Sequence, residues 1–315
     1  MDSNVSKKTF LHKFFKLVFN YEATSLSIEE LLQQRLLSTL KLFQQSNHLA
    51  LDRWLDSTMI GTKITLLYAS IESISSNRKI KPVLSTSKSL PIIYSCSIAL
   101  PLAALTKKKS QVVAKELLEP LISRENNFEF ESTLNLTVAL TKSGLISFGL
   151  DSKSVAIWLN KSLILASQNI ESSSDLLLLR SLESTPTDLF PAQYIHARCC
   201  TLLRLGDKKL PMSIQDVIPI SWIDELGCLW LRTEIELILL GQLFLVTDSF
   251  ANQSANWRKL ALNLSEVAAI FLAKCRFIDE NKYIAIARLS LIKLTQYWLK
   301  RLLVEKLNVV APTSL

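Results

Sequence analysis

Gln193-Tyr194-Ile195-His196-Ala197-Arg198-Cys199-Cys200-Thr201-Leu202-Leu203-Arg204 follows closely on Pro191 and opens a region in which every periodic stretch reads as helix. The first helix is expected over Ala192 to Leu205. Three more follow at Thr233 to Leu245, Trp257 to Phe277 and Lys282 to Leu307, with irregular stretches between them. Helices of this length, spaced in this way, describe a bundle.

Working upstream, the pattern mixes. Ser27-Ile28-Glu29-Glu30 is a helix start, with Ser27 as cap and Glu30 closing a capping box, and the helix runs to about Gln45. Residues 79 to 88 lack apolar periodicity and mark a loop. A second helix is expected from near Tyr94, punctuated by Lys107-Lys108-Lys109-Ser110 with Ser110 as cap, and resuming over Gln111 to Glu119 until Pro120 stops it. Thr137 to Leu140 and Leu145 to Phe148, around Lys142-Ser143-Gly144, read as two short strands at a turn, and Asp151 to Leu165 returns to helix. The stretch from Ser167 to Pro191 is rich in Ser, Glu, Asp and Thr and is the candidate linker, with a short helix at Leu176 to Leu179.

The expected fold is therefore mainly α: an extension over 1–26, an α+β domain over 27–165, a linker over 166–188 and an all-α helical bundle over 189–315. The opening Lys7 to Phe19 is basic and aromatic and admits a membrane-surface or targeting role. Ordinary helix amphipathicity favours packing on its own domain.

Composition narrows the function. Six glycines in 315 residues are very few for a fold that must bring backbone close to a nucleotide phosphate, so an ATP cradle is not expected; no cofactor is expected. The net charge of +8 fits a polyanion-binding surface without specifying one. Cys96, Cys199, Cys200, Cys228 and Cys275 form no Cys-x-x-Cys and read as small buried residues in a reducing cytosol, not as disulfides or zinc ligands. The longest apolar run, Pro91 to Leu105, is broken by Pro101 and several polar residues and is too short to span a bilayer, so no transmembrane segment is expected. The expected compartment is the cytoplasm.

The last part of the chain resembles the DALR anticodon-binding domain of class I arginyl-tRNA synthetases. Gln193 to Arg198 with its continuation to Arg204 is similar to the family's Tyr-Ala-His-Ala-Arg helix, and Leu231 to Leu240 to the helix after it. Lys274-Cys275-Arg276 and Ala287 to Thr295 resemble the closing helices, and Val309-Val310-Ala311-Pro312 matches the tail in register. Upstream, Tyr94 to Ala103, Lys108 to Ala114 and Ser143 to Phe148 resemble the same enzymes' N-terminal additional domain. The catalytic middle is missing. His12, His48 and His196 are the only histidines and none begins a His-x-Gly-His signature. Lys107-Lys108-Lys109-Ser110 is a solvated cap and not the mobile lysine loop of those enzymes, and a linker over 166–188 is far below the roughly 50 residues a domain needs.

The resemblance implies a protein that binds tRNA, with tRNA-Arg the family's own substrate, and does not charge it. Tyr194 and Arg198 correspond to the family's anticodon-loop contacts, and their spacing of four places them on one helical face. On the residues alone, Tyr194 reads as core and Arg198 as a surface ion-pair partner. Arg276, Arg288 and Lys293 are expected to make supporting phosphate contacts, Lys300 and Arg301 to form a solvated face, and His196 to point elsewhere. Leu145 and Ser147 stand where the family reads the D-loop with an aromatic and an Asn, which leaves that readout in doubt. Two other readings stay open: a protein interaction module that holds a synthetase or another partner, and an accessory subunit of a split arginyl-tRNA synthetase.

Overall fold

The computed structural model describes residues 26–47, 64–66, 91–123, 134–168, 187–209, 218–252, 255–278 and 280–314. The opening segment, the 79–88 loop and most of the expected linker, including its short helix, lie outside the described residues. The described residues are mainly helical, with a small antiparallel sheet of four strands in the spatial order Ile64–Leu66, Ile92–Cys96, Ile146–Leu150, Leu136–Leu140.

Helix α1 (Ile28–Asn47) starts where its sequence predicts: Ser27 Oγ accepts from the Glu30 amide at 3.1 Å. It buries Ile28, Leu32, Leu36, Leu40 and Phe43 along one side. Strands β1 (Ile64–Leu66) and β2 (Ile92–Cys96) follow. Tyr94 lies in the middle of β2 and does not open a helix. Its strand is paired on both edges, with Tyr94 opposite Leu66 and Phe148, and four of its five residues are buried. Helix α2 (Ala99–Thr106) begins only after it, with Pro101 in the first turn, where a missing amide is harmless.

Helix α3 (Ser110–Ser123) takes its first carbonyl from Lys109, so the cap is one residue earlier than Ser110. It also continues past Pro120. The proline falls in the last turn, where it removes one hydrogen bond, while Leu117 and Leu121 on either side are fully buried. Strands β3 (Leu136–Leu140) and β4 (Ile146–Leu150) form the hairpin read from sequence. Gly144 closes its turn at φ +84°, a backbone setting open to glycine, and its Cα faces the Ser110 hydroxyl so closely that a Cβ would meet it at 2.8 Å. Helix α4 (Ser152–Gln168) is capped by Asp151, whose Oδ1 accepts from the Ser154 amide at 2.8 Å.

From Thr187 onward the described elements are helical: α5 (Phe190–Lys209), α6 (Glu234–Asn252), α7 (Trp257–Lys274) and α8 (Lys282–Arg301), the last ending in a π-helical turn at Leu302–Lys306. Asn256 and Asn281 cap α7 and α8 with side-chain carbonyls. Helices α5 and α8 run antiparallel, registered by a His196–Gln296 hydrogen bond and by Gly206 against Leu289. Their approach at Gly206 is close: a Cβ there would come within 2.4 Å of Leu289 Cδ2. Gly206→Ala is therefore expected to lower stability by about 1 kcal/mol in urea unfolding, overpacking outweighing the gain in helix propensity.

The sheet and the later helices share one continuous apolar core. Trp158 of α4 stacks on Phe244 of α6 with centroids 3.8 Å apart, and its Nε1 donates to the Leu26 carbonyl at 2.9 Å. Asn160 of α4 clamps the segment before α6, donating to the Ile220 carbonyl and accepting from the Ile220 amide and Trp222 Nε1. Across the same contact, buried Asp248 of α6 accepts from Tyr94 Oη at 2.7 Å and from Ser27 Oγ at 2.8 Å. Among the described residues, no helix is long and apolar enough to cross a membrane.

Candidate nucleic-acid interface

Helix α5 has two unlike sides. Ala192, Gln193, Ile195, His196, Ala197, Cys199 and Gly206 are buried against α7 and α8. Phe190, Tyr194, Arg198, Thr201, Arg204 and Lys208 recur at intervals of three or four and are all exposed, which makes a single stripe down the outer face. Asp188, just ahead of the helix, ion-pairs with Arg258 of α7 and fixes where the stripe begins.

Tyr194 is 49% exposed and Arg198 is exposed beside it. Neither reading drawn from the residues alone describes them: Tyr194 is not core, and among the described residues Arg198 has no ion-pair partner. Phe190, one turn before Tyr194, is 55% exposed, and the two rings lie 6.3 Å apart at 30°. Sequence reasoning missed Phe190, although its spacing of four from Tyr194 carries the signal. Two aromatic faces and an exposed guanidinium on one rigid helix suit unpaired bases, which stack on rings while the cation meets a phosphate or base edge.

The inner flank of α5 carries a polar cluster. His196 is buried opposite Tyr194, and its Nδ1–H donates to the Pro312 carbonyl at 2.7 Å. Its Nε2 is then an acceptor and takes a hydrogen bond from Gln296 at 2.9 Å. Burial, together with Lys300 and Lys293, pushes the imidazole pKa down, so the neutral ring with both nitrogens satisfied is the favoured form. Gln193 donates to the Val310 carbonyl and Arg204 to the Thr313 carbonyl, so the tail after α8 is tied along this flank.

Lys293 is half-buried between α8 and α5, and burial lowers its pKa with Lys300 adding to the effect. Lys293, Lys300, Arg198, Arg204, Lys208 and Lys209 make no ion pair among the described residues, which leaves a cationic surface along the α5–α8 pair. Arg276 is exposed just after α7.

Two cations depart from their expected places. Arg288 is only 11% exposed: its guanidinium binds Glu236 at 2.6 Å, Glu280 at 3.0 Å and the Arg276 carbonyl at 2.6 Å. These partners occupy its donors, so it serves as an internal tie and is not available as a phosphate contact. Arg301 is not on a solvated face. It lies over Phe250 and Trp298, at 4.6 and 5.2 Å from their centroids, and pairs with Glu305.

Cys96, Cys199 and Cys275 are buried as expected and Cys200 is half-buried, but Cys228 is exposed in the turn that Asp224 closes. Among the described residues, no group of three or more His, Cys, Asp or Glu side chains is placed to hold a metal ion. Comparison with protein-family models, with curated proteins and with solved structures finds no match.

Proposed function

We propose that this chain is a noncatalytic tRNA-binding protein of arginyl-tRNA synthetase descent, whose bundle over 189–315 works as a DALR-type anticodon-binding domain. The residues over 27–165 act as a degenerate additional domain. The observation that carries the reading is the exposure of Tyr194 and of Arg198, which makes no ion pair among the described residues, on the one helix whose sequence resembles the family's anticodon-contacting helix. A tyrosine outside the core and a cation with no carboxylate partner among the described residues suit a ligand with flat faces and negative charge.

In this reading Phe190 and Tyr194 receive bases splayed from the anticodon loop, Arg198 holds a neighbouring phosphate or base edge, and Lys293 and Arg276 add phosphate contacts. Arg288 is left out because its donors are committed. The D-loop strand contributes little, since Ser147 is buried within β4 and Leu145 offers no aromatic face.

Mobility shift against tRNA-Arg, a non-cognate tRNA and an unrelated structured RNA, across a salt series, tests it. Tyr194→Ala with Arg198→Ala is expected to weaken tRNA binding at least about thirty-fold, since one base stack is worth roughly 1–3 kcal/mol and the guanidinium adds to it. Both side chains are exposed, so stability should stay within about 0.5 kcal/mol of wild type. Weak binding, equal for all three RNAs and untouched by the double variant, would overturn the proposal.

A further inference from the structure

A second aromatic pair stands at the other end of the α5–α8 pair. Trp230 and Tyr283 stack with centroids 5.2 Å apart and planes within 7° of parallel. The Lys282 ammonium lies 5.0 Å from the Tyr283 centroid, and the Arg232 guanidinium, 5.8 Å from that of Trp230, is held there by an ion pair with Asp224 and a hydrogen bond to the Leu229 carbonyl. Tyr283 is 40% exposed, and Lys282 and Arg232 are exposed beside it.

The two rings come from separate parts of the chain, and each is held by its backbone. Trp230 donates its amide to the Trp222 carbonyl at 2.9 Å across a short turn, and Tyr283 donates its amide to the Asn281 cap at 2.9 Å. The Arg288 tie joins the α6 start to the turn before α8 through Glu236, Glu280 and the Arg276 carbonyl. The stack is therefore set before any ligand arrives, which lowers the ordering cost of binding.

Its position relates it to the first platform. Gln296 is level with His196, and from there α8 runs back to Tyr283 over roughly 20 Å at 1.5 Å per residue. The exposed stripe of α5 covers the same distance in parallel, ending in Lys208 and Lys209. Aromatic pairs at both ends, with cations between that make no ion pair among the described residues, match what a run of unpaired nucleotides presents: π-faces joined by phosphates.

We propose that Trp230 and Tyr283 form a second nucleotide-stacking site that engages the same RNA as Tyr194, with Lys282 moving from the ring face to a flanking phosphate while Arg232 stays on Asp224. This rests on the nucleic-acid reading given above.

Fluorescence anisotropy of the full chain with an end-labelled, unstructured oligouridylate of twelve nucleotides, and separately with tRNA, tests it. Tyr283→Leu keeps apolar bulk without an aromatic face and is expected to weaken oligouridylate binding about tenfold. Tyr283→Phe should restore it. Lys282→Glu, at the exposed start of α8, should also weaken it and reduce the salt slope by about one phosphate contact. It stands in for Tyr283→Leu if that variant melts early. Wild-type affinity in both Tyr283→Leu and Lys282→Glu, alongside a loss in Tyr194→Leu, would overturn this site and leave the first standing. A loss in the Tyr283 and Lys282 variants with none in Tyr194→Leu would do the reverse, and failure of the wild-type chain to bind either RNA would overturn both.

Discussion

Replacing Glu236 by alanine is expected to lower the unfolding free energy by about 3–5 kcal/mol, measured by urea or guanidinium denaturation. Glu236 is 1% exposed, and each of its oxygens has work. Oε2 accepts from the amides of Arg232 and Thr233 at 2.8 Å, and Thr233 Oγ1 in turn accepts from the Glu236 amide at 3.4 Å. This is a capping box at the start of α6. Oε1 takes the Arg288 guanidinium at 2.6 Å. Alanine thus takes from a nearly buried cation its buried carboxylate, leaving it the more exposed Glu280 and the Arg276 carbonyl, and strands two helix-start amides at once.

Glu236→Gln keeps an acceptor for the amides and loses the charge, so its loss should fall between that of alanine and wild type. The pair Glu236→Leu/Arg288→Leu should be less destabilised than Glu236→Ala alone, because it removes the under-partnered charge together with its buried carboxylate. A loss below about 1 kcal/mol for Glu236→Ala would show that Arg288 relaxes to water and that the tie contributes little.

That same tie marks where sequence reading stops. The helices from α5 to α8 are legible because their apolar positions recur at helical spacing and local caps bound them. Thr233-x-x-Glu236 is itself a readable start signal. That Glu236 also binds Arg288 is not legible, since the partners are far apart in sequence and meet only when α6 and α8 pack. Arg301 repeats the case: a basic residue at a helix end reads as solvated until Phe250 arrives from another helix.

The β2 strand failed for a different reason. Ile92 to Cys96 is a short apolar run, and periodicity does not separate a strand buried on both faces from a buried helix turn. Pairing with β1 and β4, which is set by distant segments, decides it. In the candidate site, the shared face of Tyr194 and Arg198 follows from their spacing alone. Their exposure does not, because that depends on which side of α5 the bundle covers.

The other large effect concerns pH. Asp248 is fully buried, and burial pushes its carboxyl up to about 6 despite hydrogen bonds from Tyr94, the Glu29 amide and Ser27. Glu29, nearby on α1, is pushed up to about 7 by burial and by the Asp248 charge. Both groups hold a proton more tightly folded than unfolded. Their contribution to stability is therefore fully present below about pH 4 and is lost as pH rises through about 6 to 7.

For Asp248 alone, the gap between its ordinary 3.8 and about 6 corresponds to a loss on the order of 3 kcal/mol between mild acid and pH 8. Asp248→Asn keeps an acceptor for Ser27 and the Glu29 amide, and stays neutral at every pH. Unfolding measured at pH 4.5 and pH 8 should therefore show a smaller decline for Asp248→Asn than for wild type, with the variant close to or above wild type at pH 8. Asp248→Ala should be less stable than either at both values, because it leaves the Tyr94 and Ser27 hydroxyls facing each other across a gap at the contact between the sheet and α6. Parallel pH dependence in wild type and Asp248→Asn would mean that water reaches Asp248 and that its carboxylate is stabilised in the fold.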